Sequence, residues 1–336
     1  MHKPGSLSLA CPELVEGKGP VRRDTMNDYT LRTFRAFATK KLQGVSATPD
    51  LDVQVLLQYA MHYDKTQLLL FADNHIPDEQ LEWLYNAIEK RNAGLPVAYI
   101  TGHKEFYGFD FLVTPQVLIP KPDTEVLVER AMEIILEKME DSSNSEPLQI
   151  CDMCTGSGCI GLSVMKTLYA VDKIPVEKLP QLTLVDISSH ALEIAKKNAA
   201  RLLPEQEIIK KLNFVRSNLF QSVDGKFDLI LTNPPYVPSS MVDELLADGR
   251  GEPRLALDGD MVIESLEGDE FNTDGTSIIK QLILQSCEHL DFNATILMET
   301  GEYNALKTAE FAQTQGFSTQ VHTDLAGEYR NVEMSL

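Results

Sequence analysis

Along residues 50–63, DLDVQVLLQYAMHY, apolar side chains return every three or four positions and place Val53, Leu56, Leu57 and Ala60 on one helical face. DEQLEWLYNAIEKRNAG, residues 78–94, repeats the period with Leu81, Leu84, Tyr85 and Ile88. It starts acidic and ends basic before Gly94, which suits a helix dipole. The period then changes. In YITGHKEFYGFDFLVTP, residues 99–115, aromatic and β-branched positions alternate around glycines, predicting a hairpin. IPKPDTE, residues 119–125, opens a helix to about Lys138, with Asp123 or Thr124 as cap and Glu125 in its first turn. Glu125 fits helix capping and closure of a pocket equally well. EDSSNSE, residues 140–146, reads as a polar loop.

From Pro147 onward, short apolar runs alternate with helical patterns. The predicted strands are LQICD (148–152), LTLVD (182–186), LNFVRS (212–217), FDLILT (227–232), ATILMET (294–300), FSTQVHT (317–323) and NVEMSL (331–336). Strands separated by crossover helices predict a seven-stranded, doubly wound α/β sheet of the Rossmann type, with a small all-helical domain before it. Ligands on such sheets bind beyond the carboxyl ends of the strands.

Composition narrows the function. The chain has 336 residues, 43% hydrophobic and 24% charged, in the range of a globular protein with room for two domains. No run reaches the ~18 uncharged residues of a membrane helix. The net charge of −20 disfavours non-specific contact with phosphate backbones, and no dense Lys/Arg run offsets it. No direct nucleic-acid binding and no membrane contact are therefore expected. The five cysteines are an odd number in a large chain, which argues against a disulfide framework. Cys151, Cys154 and Cys159 lie close together but lack a second CxxC or a histidine pair, so they read as small core residues around a loop, with no metal expected. Residues 1–25 show no period and no signal-peptide core. They are expected to be a disordered leader outside the native coding sequence, with Met26 as the true start. The expected compartment is the cytoplasm.

Two motifs carry chemistry. DMCTGSGCIG, residues 152–161, places Gly156, Gly158 and Gly161 between a strand and a helix, and Asp186 ends the next strand. Glycines admit close backbone approach, and Asp186 can accept from both hydroxyls of a ribose. This fits a nucleoside cofactor without separating NAD from S-adenosylmethionine. NPPY, residues 233–236, follows the fourth strand and makes that choice. A planar amide or exocyclic amine is a poor nucleophile because its lone pair is delocalised. Acceptors on its two N–H bonds raise electron density at nitrogen and fix its approach. The Asn233 side-chain oxygen and the Pro234 carbonyl can be those acceptors. Prolines keep the corner rigid and add no donor, and Tyr236 offers a face for stacking. The reaction that fits is methyl transfer to a planar nitrogen.

EFYGFDFLVTPQVLIPKPDTE, DMCTGSGCIG, VDIS, NPPYVP, EPRLALDGD (252–260) and LMETG stand in the order seen in protein-(glutamine-N5) methyltransferases that modify peptide chain release factors. The chain resembles that family from about Asp50 to the C-terminus. The resemblance implies that Cys154, Thr155, Gly156, Ser157, Gly158, Asp186, Asn218, Leu219 and Asn233 hold S-adenosylmethionine. It also implies that Asn233, Pro234, Pro235 and Tyr236 hold the glutamine amide of a Gly-Gly-Gln loop in the release factor, with Asn233, Pro234 and Tyr236 catalytic. The implied layout is a helical substrate-binding domain at 26–94, a hairpin linker at 95–122 and the methyltransferase domain at 123–336. The chain departs from the family pattern in four places. Cys154 replaces a glycine, Asn218 an aspartate and Lys121 an arginine, and the acidic stretch Asp258–Asp274 looks like an insertion. That stretch has seven acidic residues and no Lys or Arg, and reads as an exposed, solvated loop.

Rival readings are glutamine methylation of a ribosomal protein, adenine-N6 methylation of DNA, an NAD-dependent oxidoreductase and a silent binding protein. DNA methylation would need a basic binding region, and hydride chemistry leaves NPPY unexplained. Glu299 and Thr300 end the fifth strand, where lining the cleft and merely finishing the strand are both open. Trp83 reads as packing. His103, His190 and His289 share no spacing and receive no role.

Overall fold

Thr30 begins the first helix with a reciprocal cap. Thr33 N donates to Thr30 Oγ1 at 3.3 Å, and Thr30 N donates to Thr33 Oγ1 at 2.9 Å. The structure is a computed structural model that describes residues 29–140, 146–247, 251–261 and 273–336. The expected leader, most of the polar loop after Glu140 and the centre of the acidic stretch lie outside the described residues.

The chain divides into two units, meeting between residues 88 and 89. The first holds α1 (Leu31–Leu42), α2 (Pro49–Met61), α3 (Lys65–Leu70) and most of α4 (Asp78–Asn92). The helical periods bury Val53, Leu56, Leu57, Leu81, Leu84 and Ile88, while Tyr85 and Ala60 are only partly covered. Tyr85 packs edge-on against Tyr29 and Phe34. Trp83 lies against Tyr59 at 5.0 Å between ring centres.

The second unit begins within α4. α5 (Val97–Thr101) precedes the hairpin of β1 (His103–Phe106) and β2 (Phe109–Leu112). The predicted hairpin thus starts later than its aromatic pattern, because Tyr99 and Ile100 are helical. Tyr107 and Gly108 turn it with φ of 51° and 74°, the left-handed pair that matches strand twist. Phe106 and Phe111 project from the hairpin into the main core. Asn198 clamps it from behind: its Oδ1 accepts from Leu112 N at 2.7 Å, and its Nδ2 donates to Leu112 O and Ser157 O.

The remaining elements are α6 (Glu125–Glu140), β3 (Gln149–Met153), α7 (Cys159–Lys166), β4 (Gln181–Asp186), α8 (Ser189–Leu202), α9 (Gln206–Ile209), β5 (Leu212–Arg216), β6 (Phe227–Thr232), α10 (Ser239–Ala247), α11 (Ser277–Ser286), β7 (Leu290–Glu299), α12 (Ala305–Thr314), β8 (Ser318–Thr323) and β9 (Tyr329–Ser335). The seven-stranded sheet has the order β5-β4-β3-β6-β7-β9-β8, with β9 antiparallel to both neighbours and the other pairs parallel. Strand alternation sends Leu229 and Leu231 to a core under α6 and α7. It sends Ile230, with Cys151 and Met153, to a second core under α11 and α12. Burial on both faces explains why the strands read as unbroken apolar runs. The chain crosses outward from β3 to β4 and β5, then returns to β6. The crevice at that reversal lies between the ends of β3 and β6. Among the described residues, no helix is long and apolar enough to cross a membrane.

Candidate active site

β3 ends in a buried acid. Asp152 Oδ2 accepts from Thr155 Oγ1 at 2.6 Å and from Gly161 N at 3.0 Å. These bonds fold the glycine-rich turn back over the strand end. Oδ1 is buried without a partner among the described residues, and burial pushes the carboxyl up to about 7. Gly158, with φ of 82°, caps α7, and a Cβ there would press on Leu162. Its role is therefore packing beneath the turn. Gly156 is different: a Cβ there would meet nothing within 4 Å, so its surface is open. Cys154 sits at φ 62°, where an L-residue is strained and glycine is at ease.

β4 ends in Asp186. Its Oδ2 accepts from Gly156 N at 2.9 Å and its Oδ1 from Ser188 N at 2.8 Å. Both bonds hold the carboxylate at the mouth of the cavity with lone pairs to spare. Burial raises its proton affinity, against the pull of these backbone donors.

One cavity joins these strand ends. Cys154, Thr155, Gly156, Ser157, Asp186, Asn218, Leu219, Asn233 and Pro235 all line it. Gly158, Pro234 and Tyr236 are not part of its lining. Leu118 and Ile187 make it partly apolar, and Pro253, Leu255 and Ala256 form its far side. That far side is tied on by Lys121 Nζ, 2.6 Å from Glu252 Oε1.

The corner after β6 is braced from three directions. Asn233 Nδ2 donates to Thr124 Oγ1 at 3.2 Å, and Oδ1 takes no bond from the described residues. Tyr236 OH donates to Glu299 Oε1 at 3.2 Å, and burial raises the phenol's pKa. The Tyr236 carbonyl accepts from Asn304 Nδ2 at 3.2 Å and Tyr303 OH at 3.3 Å. Val237 pairs with the segment at Asp258: Val237 N donates to Leu257 O, and Gly259 N donates to Val237 O, each at 2.9 Å. Gly259 and Gly275 pack on Tyr236 so closely that a Cβ at either would overlap its backbone.

The described ends of the acidic stretch are thus not a solvated loop. Asp258 is 1% exposed and accepts from Ser239 Oγ at 2.6 Å and Arg254 Nε at 3.0 Å. Asp260 accepts from Gly275 N and Ser277 Oγ. A run of carboxylates reads as solvent-exposed only until its donors, which lie elsewhere in the chain, are known.

Thr124 departs from its sequence reading as a cap, and Glu299, whose sequence reading is open, is placed by its burial. The helix starts with a short turn at Pro122–Thr124, and the Thr124 hydroxyl faces Asn233 instead of capping. Glu299 is 1% exposed behind Tyr236. The usable signal was positional: Asp152, Asp186, Asn233 and Glu299 all stand at or just after the ends of parallel strands.

Residues 34–102 match the PrmC N-terminal domain, and residues 125–263 match the methyltransferase small domain. The release factor glutamine methyltransferase of Haemophilus influenzae is 35% identical over 272 residues, covering 80% of this chain and 84% of that protein. The enzyme of the same name from Koribacter versatilis is 34% identical, covering 81% and 86%. That from Moorella thermoacetica is 32% identical, covering 90% and 96%. Likeness of this extent runs through the helical unit, the glycine-rich turn and the NPPY corner alike, and it makes this chain a member of the release factor glutamine methyltransferase family.

Proposed function

We propose that this chain transfers a methyl group from S-adenosylmethionine to N5 of the glutamine in the Gly-Gly-Gln loop of peptide chain release factors, in the cytoplasm. The observation that carries the reading is Asn233. Its Nδ2 is tied back to Thr124, and its Oδ1 is left open on the cavity that Asp186 also lines.

The cavity suits the cofactor. The Asp186 carboxylate keeps lone pairs for two ribose hydroxyls, and Leu118, Ile187 and Leu219 offer apolar surface for a purine. Asn218 can accept from an exocyclic amine through its amide oxygen, and the open surface of Gly156 admits close approach. Bound there, S-adenosylmethionine would supply a methyl carbon on a sulfonium, with a neutral thioether to leave.

The chain's own residues orient the acceptor. Asn233 Oδ1 and the Pro234 carbonyl take the two N–H bonds of the glutamine amide, and the Tyr236 ring stacks on its plane. Polarising both N–H bonds raises electron density at the nitrogen that forms the new N–C bond. That nitrogen gives up a proton to solvent once it becomes cationic, so no strong base is needed. The helical unit is assigned to gripping the protein substrate. No observation favours a ribosomal protein or adenine as acceptor.

Intact-mass analysis tests the reading. Unmodified release factor is mixed with the protein and S-adenosylmethionine, and any added methyl is mapped. A methyl on the Gly-Gly-Gln glutamine, absent with Asn233→Ala, supports it. Cofactor binding without transfer to that glutamine overturns the substrate assignment.

A further inference from the structure

The turn after β5 is tied down on several sides. Leu219 is left-handed there, with φ of 48°, a conformation that leucine adopts only at a cost. The shape is held by Gln221 N donating to Asn218 O at 3.1 Å, Ser222 N to Ser217 Oγ at 2.9 Å and Phe220 N to Gln285 Oε1 at 3.1 Å. The last of these reaches across from α11, 65 positions along the chain. Strain that the surroundings enforce clusters at functional sites, and Asn218 and Leu219 both line the cavity.

α11 carries two stripes. Ile279, Leu282 and Ile283 are buried in the core beneath it. Beside them Ile278, Gln281 and Gln285 recur at helical spacing and share a second face. Gln285 is committed to the Phe220 amide, which seats this face against the turn after β5. Gln281 lies one helical turn, about 5.4 Å, before Gln285. It is half-buried, and it lines the cavity together with Ile278. The Asn218 and Gln281 side-chain amides bond to no described residue. Two unspent amides thus face one cavity, and the mechanism above uses only one of them.

We infer that Gln281 is a specificity-determining residue for the cofactor's base, and that with Asn218 it reads the exocyclic amine of the purine. The inference rests on the reading that this cavity holds S-adenosylmethionine. The amine of adenine has two N–H bonds and stands between ring nitrogens that accept. Asn218 Oδ1 takes one N–H bond. Gln281 Oε1 takes the other, while its Nε2 donates to the neighbouring ring nitrogen N7, the two-bond pairing that glutamine makes with adenine. An uncharged amide at 218 accepts more weakly than a carboxylate would, and the second amide makes up the difference. Ile278, Ile187 and Leu219 supply the apolar surface that covers the ring between them.

Titration calorimetry on the full chain tests this with two ligands, S-adenosylhomocysteine and its analogue lacking the purine amine. Gln281→Leu and Gln281→Met both remove the amide and keep the bulk and the helix propensity, so either one serves if the other fails to fold. Each is expected to weaken S-adenosylhomocysteine about 10-fold, the scale of a two-bond amide–adenine pair. Each should weaken the analogue by no more than about 3-fold, because the bond to the amine is already gone and only the one to N7 is lost. A merely structural role for Gln281 would weaken both ligands alike. Equal losses for the two ligands, or unchanged affinity for S-adenosylhomocysteine in the variants, overturn the inference and leave the cavity reading standing. Equal binding of the two ligands by the parent protein overturns it as well. If the parent protein binds neither ligand, the cavity reading fails and the inference falls with it.

Discussion

Lys121 Nζ lies 2.6 Å from Glu252 Oε1, and the bond spans 131 positions of the chain. It fastens the segment carrying Pro253, Leu255 and Ala256 to the opposite wall of the cavity that these residues line. Glu252 is 9% exposed at its side chain and Lys121 41%. Losing the lysine strands a nearly buried carboxylate. Half exposure of Lys121 holds the cost to about 1–2 kcal/mol, below that of breaking a fully buried pair. Lys121→Met should lower the unfolding midpoint and weaken S-adenosylmethionine binding in calorimetry. The double variant Lys121→Met, Glu252→Gln should recover most of both. If the single variant binds as tightly as the parent protein, the segment does not depend on this bond.

Gly275 should tolerate no side chain. Its φ is 80°, and an added Cβ would overlap the Tyr236 carbonyl oxygen. Gly327 has φ 86° with nothing within 4 Å of an added Cβ. Gly327→Ala should cost only the backbone strain, about 1–2 kcal/mol, and leave methyl transfer intact. Gly275→Ala should cost more and abolish transfer, because the clash displaces the NPPY backbone. Urea unfolding and a methyl-transfer assay of both variants check this.

Cys154 stands where the backbone is left-handed. Cys154→Gly removes that strain and is expected to be neutral or up to about 1 kcal/mol stabilising, since it also gives up a small packing contact. A β-branched side chain is far worse at positive φ. Cys154→Val should fall at least about 2 kcal/mol below Cys154→Gly in denaturant unfolding. Equal stability of the two would mean that the turn relaxes freely.

Asp152 makes stability depend on pH in the unusual direction. Its folded pKa, about 7, lies above the ordinary 3.8, so the folded state binds more protons between those values. The contribution is therefore present below about pH 4, is lost as pH rises toward 7, and is flat above. Asp152→Asn, which carries no such charge, should gain on the parent protein between pH 5 and pH 8 in urea unfolding. A stability difference that does not change over that interval would show that Asp152 titrates normally.

The strands were legible because their signals are local. An apolar run bounded by turn residues states its own burial, and FDLIL before NPPY predicted both the strand and its abrupt end. The glycine-rich turn and Asp186 were legible for the same reason: backbone freedom and a strand-terminal acid are properties of a few adjacent residues. Cys154 could be named as a departure from sequence, but its strain needed a φ angle.

What tertiary structure alone decided is which distant polar groups meet. Thr124 looks like a helix cap from its neighbours, yet its partner is 109 positions away. Glu299 looks like any strand end until Tyr236, 63 positions earlier, donates to it. Asp258 and Asp260 look solvated until Ser239, Arg254 and Gly275 surround them. The physical reason is common to all of these. Hydrophobic period and turn chemistry are written in adjacent residues, whereas a buried polar group is stable only through a donor or acceptor that folding brings to it, and no local pattern names that partner.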